Sequence, residues 1–253
     1  MTQVEVFVCG ITGTQGGAVA RRLLSENVAV TALARDLSSP QAQSIEAVGA
    51  KLFPGNFDDS AALERALAGC TAAFLNFMLL SKQSIEKEVR GAGFDYWTIL
   101  RPGNFMANYL PPKVIMYGDL PQSGIWHTAL LKETTLPMVD EDTIGRFTST
   151  AILNPTKFTG QEIELADELL RPEQILERLS ATAGRQLKAE YMSDASIEEK
   201  KSNPFILGQF AMRDMVQFVD MEKAHSWGIP LSSFNAFLER NKEFVKKTYQ
   251  QAA

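Results

Sequence analysis

The stretch Val4-Glu5-Val6-Phe7-Val8-Cys9-Gly10-Ile11-Thr12-Gly13-Thr14-Gln15-Gly16-Gly17 decides the fold. Its opening residues form a short, β-branched apolar run that reads as a buried strand and stops at Gly10. From Ala18 to Leu24 the apolar residues Val19, Leu23 and Leu24 take helical spacing. Between strand and helix, Gly10, Gly13 and Gly16 have the spacing Gly-x-x-Gly-x-x-Gly. A dinucleotide pyrophosphate needs backbone N–H groups and a helix N-terminus at close range, and a side chain at those positions would stand in the way. A glycine-rich structural turn would look the same in isolation. The flanking strand and helix, with more such units after them, favour the nucleotide-binding reading.

Those further units come at once. Val28 to Leu33 reads as a second strand, Ser44 to Val48 as a helix and Ala50 to Phe53 as a third strand. After Gly55-Asn56-Phe57-Asp58-Asp59, Ser60 is expected to cap a helix over Ala61 to Ala68, and Thr71 to Phe77 reads as a fourth strand. Strands alternating with helices at this interval imply parallel pairing through right-handed crossovers, an α/β, Rossmann-type doubly wound sheet. Beyond it the sequence predicts a helix over Ser84 to Ala92, strands at Tyr96 to Leu100, Thr135 to Val139, Glu162 to Ala166 and Leu187 to Tyr191, and helices at Ile144 to Ile152 and Pro172 to Ala183. The last quarter is mostly helical, ending in Ser232 to Lys247. Phe205, Ile206, Leu207, Phe210, Met212, Met215 and Phe218 are expected to be core. Residues 1–110 are expected to form the dinucleotide-binding core. Residues 111–253 would add later strands to it and a smaller, discontinuous helical lobe for substrate or partner.

Composition narrows the function classes. The 253 residues are 45% hydrophobic and 22% charged, which excludes a disordered chain. A formal net charge of -5 repels nucleic acid and anionic membrane. Cys9 and Cys70 give no disulfide framework, and no apolar run reaches transmembrane length, so a cytoplasmic setting is expected, with the nucleus also open. His127 and His225 lack cysteine, histidine or carboxylate partners at ligand spacing, so no metal site is expected. No Gly-x-Ser-x-Gly elbow occurs, which removes serine hydrolase chemistry.

The end of the second strand selects the cofactor. An acidic side chain there bonds the adenosine ribose 2′-hydroxyl, whereas arginine accommodates a 2′-phosphate. Arg35 stands at that point, so NADP (as NADPH) is expected over NAD, with the adjacent Asp36 tempering the preference. Asn56 and Phe57, after the third strand, are placed to bound the adenine or merely to shape a loop.

With these residues in hand, the chain resembles the NmrA-like family of atypical short-chain dehydrogenases/reductases. The resemblance runs through Gly10 to Gly17, Ala34-Arg35-Asp36, Gly55 to Asp59, Ser81 to Glu86, Ile99 to Asn108, Val139 to Gly145 and Phe237 to Asn241, nearly the whole chain. It implies a Rossmann domain with a smaller C-terminal lobe. It also implies a cofactor site lined by Gly10, Ile11, Thr12, Gly13, Thr14, Gln15, Gly16, Arg35, Asn56, Phe57, Lys82 and the loop Pro102, Gly103, Asn104, Phe105. Two departures stand out. The family carries a helix and a fifth strand ahead of the lysine-bearing helix, a unit of roughly 30 residues or more, whereas here only Met78 to Ser81 lie between Phe77 and Lys82. Conventional members of the wider superfamily place a tyrosine proton donor four residues before the lysine, where this chain has Met78. Lys82 is left as the candidate catalytic residue, or as a ribose contact, or as an ordinary solvated lysine.

Two functions are consistent with this reading. One is an NADPH-dependent reductase of a small organic metabolite, with Trp97, Phe105, Tyr109, Trp126 and Met138 as candidate pocket walls or core. The other is a non-catalytic NAD(P)H redox sensor that regulates a protein partner such as a transcription factor.

Overall fold

The computed structural model describes residues 4–76 and 82–250, with the side chains of residues 82–85 and 88 outside that description. The short connection Met78 to Ser81 therefore lies outside the described residues. The first part of the chain alternates strand and helix: β1 (Glu5–Val8), α1 (Thr14–Ser25), β2 (Ala29–Ala34), α2 (Pro40–Glu46), β3 (Lys51–Pro54), α3 (Ser60–Leu67), β4 (Ala72–Phe74), α4 (Lys82–Gly91) and β5 (Thr98–Pro102). Then come β6 (Asn104–Phe105), α5 (Leu120–Ser123), β7 (Ile125–Thr128), β8 (Leu136–Val139), α6 (Glu141–Leu153), α7 (Pro155–Phe158), β9 (Gln161–Leu165), β10 (Glu168–Leu170), α8 (Pro172–Ala183) and β11 (Lys188–Tyr191). The chain closes with α9 (Asp194–Glu199), α10 (Pro204–Arg213), α11 (Met221–Ser226), α12 (Phe234–Arg240) and α13 (Lys242–Tyr249). It divides into two compact units, Met1–Leu100 with Glu141–Ile163, and Arg101–Asp140 with Glu164–Ala253.

The first unit is built on a four-stranded sheet in the order β3-β2-β1-β4, every pair parallel. Val6, Phe7 and Val8 of β1 are buried, as befits a strand covered on both faces. α6 packs on α1, and Gly145 makes that approach possible: a Cβ there would lie 3.1 Å from the Ala18 carbonyl oxygen and 3.3 Å from Arg22 Cβ. Strand β4 is the sheet's last strand among the described residues, three residues long and half-exposed.

Helix starts correct the sequence expectations in two places. α2 begins at Pro40, four residues before the expected Ser44, because Ser39 Oγ accepts from the Ala42 N–H at 3.3 Å and Pro40 is pre-set for a first helical position. α3 is capped by Asp59, whose Oδ1 accepts from Ala62 N–H at 2.9 Å, and not by Ser60, which is already helical.

The second unit holds a three-stranded sheet β10-β8-β6 and the parallel pair β7-β11. Its core gathers Tyr109, Tyr117, Trp126, Phe234 and Phe237, with the Tyr109 and Tyr117 ring centroids 4.4 Å apart and Trp126 edge-on to Tyr117 at 5.0 Å. Burial pushes the Tyr117 phenol up to about 12. The expected final helix is broken at Asn241 into α12 and α13. In the segment expected to be core, Ile206 is buried but Phe205, Leu207 and Phe218 are exposed, Phe218 at 67%. The apolar run there is too dense for one face of a helix, so part of it must face outward.

A carboxylate network ties this unit together. Asp140, fully buried at the end of β8, accepts from Arg240 on both carboxylate oxygens at 2.8 Å and from Ser232 Oγ at 2.7 Å. Asp167 Oδ2 accepts from the Asp140 N–H and its Oδ1 from the Ser232 N–H, both at 2.6 Å. Arg240→Ala strips a charge-assisted donor from a buried carboxylate, and a cost of about 1–3 kcal/mol is expected. Urea unfolding checks it, with Arg240→Lys recovering part of the loss; an unchanged midpoint would contradict the role given to this pair.

Candidate functional site

Strands β1, β2 and β3 run in one direction, so the segments that leave them emerge on one side of the first unit. The register pairs Phe7 with Thr31 and Ala34 with Pro54. Gly55 N–H then donates to the Ala34 carbonyl at 3.2 Å. The structure thereby brings Gly10 to Gly16, Arg35, Asn56 and Phe57 to the carboxyl ends of adjacent strands, the usual place for ligands in open parallel sheets.

The turn after β1 is held by contacts that glycine alone permits. Gly10 takes φ +65°, a left-handed conformation, and its carbonyl accepts from the Gly13 N–H at 2.9 Å. A Cβ on Gly16 would lie 2.3 Å from the Gly10 carbonyl oxygen and 2.7 Å from that of Cys9. Gly13 is the N-cap of α1, and no side chain caps the helix there; its first turn carries no acidic residue. Gly10, Thr12, Gly13 and Thr14 are exposed, whereas Ile11 and Gly16 are buried. The result is an exposed, uncapped helix N-terminus with backbone where side chains would otherwise stand, a geometry that receives an anion.

Arg35 is exposed and has no ion pair or hydrogen bond among the described residues, so its guanidinium is free to meet a phosphate. Asp36 is engaged elsewhere, its Oδ1 accepting from Ser38 N–H and Ser38 Oγ–H, and these hydrogen bonds hold its carboxyl below the usual range. Asn56 Oδ1 accepts from the Asp58 N–H at 2.7 Å, which shapes the loop. Phe57 is 49% exposed and set edge-on against Phe7 at 6.4 Å, leaving much of its ring open to solvent.

Pro102, Gly103, Asn104 and Phe105 run through the end of β5 and β6 in the second unit; Gly103 and Asn104 are buried, Pro102 and Phe105 half-buried. A Cβ on Gly103 would lie 2.3 Å from the Pro137 carbonyl oxygen, and Gly103 N–H donates to the Leu165 carbonyl at 2.9 Å. Asn104 Nδ2 donates to Met138 Sδ at 3.5 Å and its Oδ1 accepts from Asn108. The loop is thus pinned inside its own unit. Lys82 is the first residue of α4, and its side chain lies outside the described residues. Of the candidate pocket walls, Tyr109, Trp126 and Met138 are fully buried core, and Phe105 and Trp97 are half-buried. A cavity of about 350 Å³ in the second unit is lined by Ile115, Tyr117, His127, Met192, Phe205 and Gln209 among others, and by none of the residues expected at the cofactor site. Among the described residues no group of His, Cys, Asp and Glu could hold a metal, and no helix is long and apolar enough to cross a membrane.

Two contributors escape the sequence reading. Gly55, at φ +150°, sits where a Cβ would be 2.7 Å from Ala62 Cβ. The turn Asp36-Leu37-Ser38-Ser39 has a local signal, an Asp with Ser two residues later, a pattern that favours such side-chain to backbone bonds.

A parallel sheet in the order β3-β2-β1-β4 with a glycine cradle after β1 defines a Rossmann-type α/β protein. The chain belongs to the NmrA-like family, whose sequence profile matches residues 2–81 and 77–233. The two matched segments overlap at the short connection before Lys82. Among solved structures, the chain is similar to NmrA, a negative transcriptional regulator, in complex with NAD, with TM-score 0.68 and 15% identity over 98% of this chain and 96% of that one. It is also similar to an NADPH-dependent quinone oxidoreductase of Escherichia coli complexed with NADPH, with TM-score 0.69 and 18% identity over 94% of this chain and 99% of that one. Among curated proteins it is 42% identical over 72 residues to an NmrA-like family domain-containing oxidoreductase of Aspergillus campestris. That match spans 28% of this chain and 21% of the relative.

The cradle sets a sharp test. Gly16→Ala forces a methyl into the Gly10 carbonyl and is expected to cost about 1–3 kcal/mol. Gly208→Ala meets nothing within 4 Å and is expected to be neutral or slightly stabilising. Thermal melts of both variants decide it; equal effects would contradict the close approach.

Proposed function

We propose that this chain is an NADPH-dependent oxidoreductase that reduces a small organic metabolite, a ketone, enone or quinone. The observation that carries the reading is the cradle at Gly10 to Gly16 opening onto the uncapped N-terminus of α1, with the exposed Arg35 guanidinium, unpaired among the described residues, at the end of β2. The residues present fit a dinucleotide. Backbone N–H groups of the first turn of α1 would hold the pyrophosphate, Arg35 the 2′-phosphate, and Phe57 with Asn56 one side of the adenine. The nicotinamide, when bound, supplies hydride-transfer chemistry. The rest falls to the chain: Lys82 would orient the ribose or deliver a proton to a carbonyl oxygen. The curated relative named as an oxidoreductase and the NADPH-dependent quinone oxidoreductase support the same reading.

One observation favours a second reading. Met78 stands where a tyrosine proton donor would be expected four residues before Lys82, and a site lacking that donor suits a redox sensor acting on a protein partner; one structural neighbour is named a negative transcriptional regulator.

Calorimetric titration with NADPH and NADH, and then NADPH oxidation against a panel of ketones, enones and quinones, separates these. The parent is expected to prefer NADPH, and Arg35→Ala to remove about ten- to 100-fold of that preference. Turnover with at least one substrate, lost in Lys82→Ala, supports the enzyme. Firm binding without turnover on any substrate would favour the sensor.

A further inference from the structure

Arg35 and Asp36 are adjacent, opposite in charge and both exposed, yet they do not pair. The reason lies in the turn after β2. Asp36 Oδ1 accepts from the Ser38 N–H at 2.8 Å and from Ser38 Oγ–H at 2.6 Å. Ser39 Oγ donates to the Asp36 carbonyl at 2.9 Å while accepting from Ala42 N–H, so the turn is fastened to the start of α2. One oxygen of the carboxylate is thereby committed to its own loop, which fixes where the group sits.

That commitment bears on which dinucleotide fits, and its consequence rests on the proposed dinucleotide site. A loose carboxylate at this position has three options: to neutralise Arg35, to repel a 2′-phosphate, or to accept a ribose 2′-hydroxyl. Each of them moves the preference away from NADPH. We propose that Ser38 is a specificity-determining positioning residue: by holding the Asp36 carboxylate in the turn, it leaves the Arg35 guanidinium open to a 2′-phosphate and withholds the carboxylate from a 2′-hydroxyl. Ser38 acts through Asp36 and need not touch the cofactor. The depressed carboxyl of Asp36 agrees with the two hydrogen bonds it accepts.

The test compares NADPH and NADH affinities by calorimetry in the full chain for the parent, Ser38→Ala, Ser38→Thr, and Ser38→Ala combined with Asp36→Asn. Carbon-detected NMR titration of the Asp36 carboxyl in the absence of cofactor accompanies it. Ser38→Ala is expected to lower the NADPH-over-NADH ratio about fivefold, the net worth of one ordinary hydrogen bond, and to return the Asp36 carboxyl toward its ordinary range. Ser38→Thr retains both properties. With Asp36→Asn already in place, Ser38→Ala should leave the ratio unchanged. An unchanged ratio in Ser38→Ala alone, in a parent that prefers NADPH, overturns the role of Ser38 and leaves the cofactor reading standing. An equal fall in the Asp36→Asn background also overturns it, since Ser38 would then contact the phosphate itself. A parent that binds neither dinucleotide, while the carboxyl titration still responds to Ser38→Ala, overturns the cofactor reading and the proposal with it.

Discussion

The contact between Gly16 and the Gly10 carbonyl is the constraint on which the rest depends. With 2.3 Å between that oxygen and the place a Cβ would occupy, the backbone leaving β1 lies against the first turn of α1. The turn can be that tight because Gly10 adopts a positive φ and because neither Gly13 nor Gly16 carries a side chain. Tightness has a chemical consequence. It leaves the start of α1 exposed and without a side-chain cap at the strand ends, where partial positive charge is available to an anion.

Parallel pairing extends that one turn into a site. Because β1, β2 and β3 share a direction and a close register, the loops leaving their carboxyl ends lie side by side. Arg35, exposed and without a partner among the described residues, comes at the end of β2, and Phe57, braced by Phe7, at the end of β3. The second unit shows the opposite economy. Several of its buried polar groups serve its own cohesion: Asp140 and Asp167 bind Ser232 and Arg240, and Asn104 is taken up by Met138 and Asn108. A loop held that firmly can present a fixed surface, but its buried side chains serve the scaffold first.

How much of this the sequence discloses depends on range. The glycine turn and the strand-helix alternation are local, fixed by residues within a few positions of each other, and are readable. The start of α2 is written in Ser39-Pro40, but its few apolar positions point four residues too far along. Between Asp59 and Ser60 the sequence offers two good caps in a row, and only backbone dihedrals decide between them. Asp140 and Arg240 lie 100 residues apart, and no spacing rule connects them. Tyr109, Trp126 and Met138 have the apolar character of either pocket or core, with core the commoner place for each; burial assigns them to the core. In the run from Phe205 to Phe218 apolar density suggests burial, yet helical geometry leaves Phe205 and Leu207 facing out.

The carboxyl ends of β1 to β3 are where the dinucleotide is proposed to sit, and amide chemical-shift mapping by NMR during titration with NADPH tests that most directly. The largest changes are expected on Gly13 to Gly17, Arg35 and Asn56 to Phe57. Changes concentrated instead around the cavity bounded by Ile115, His127 and Gln209 in the second unit, or no changes at all, would contradict it.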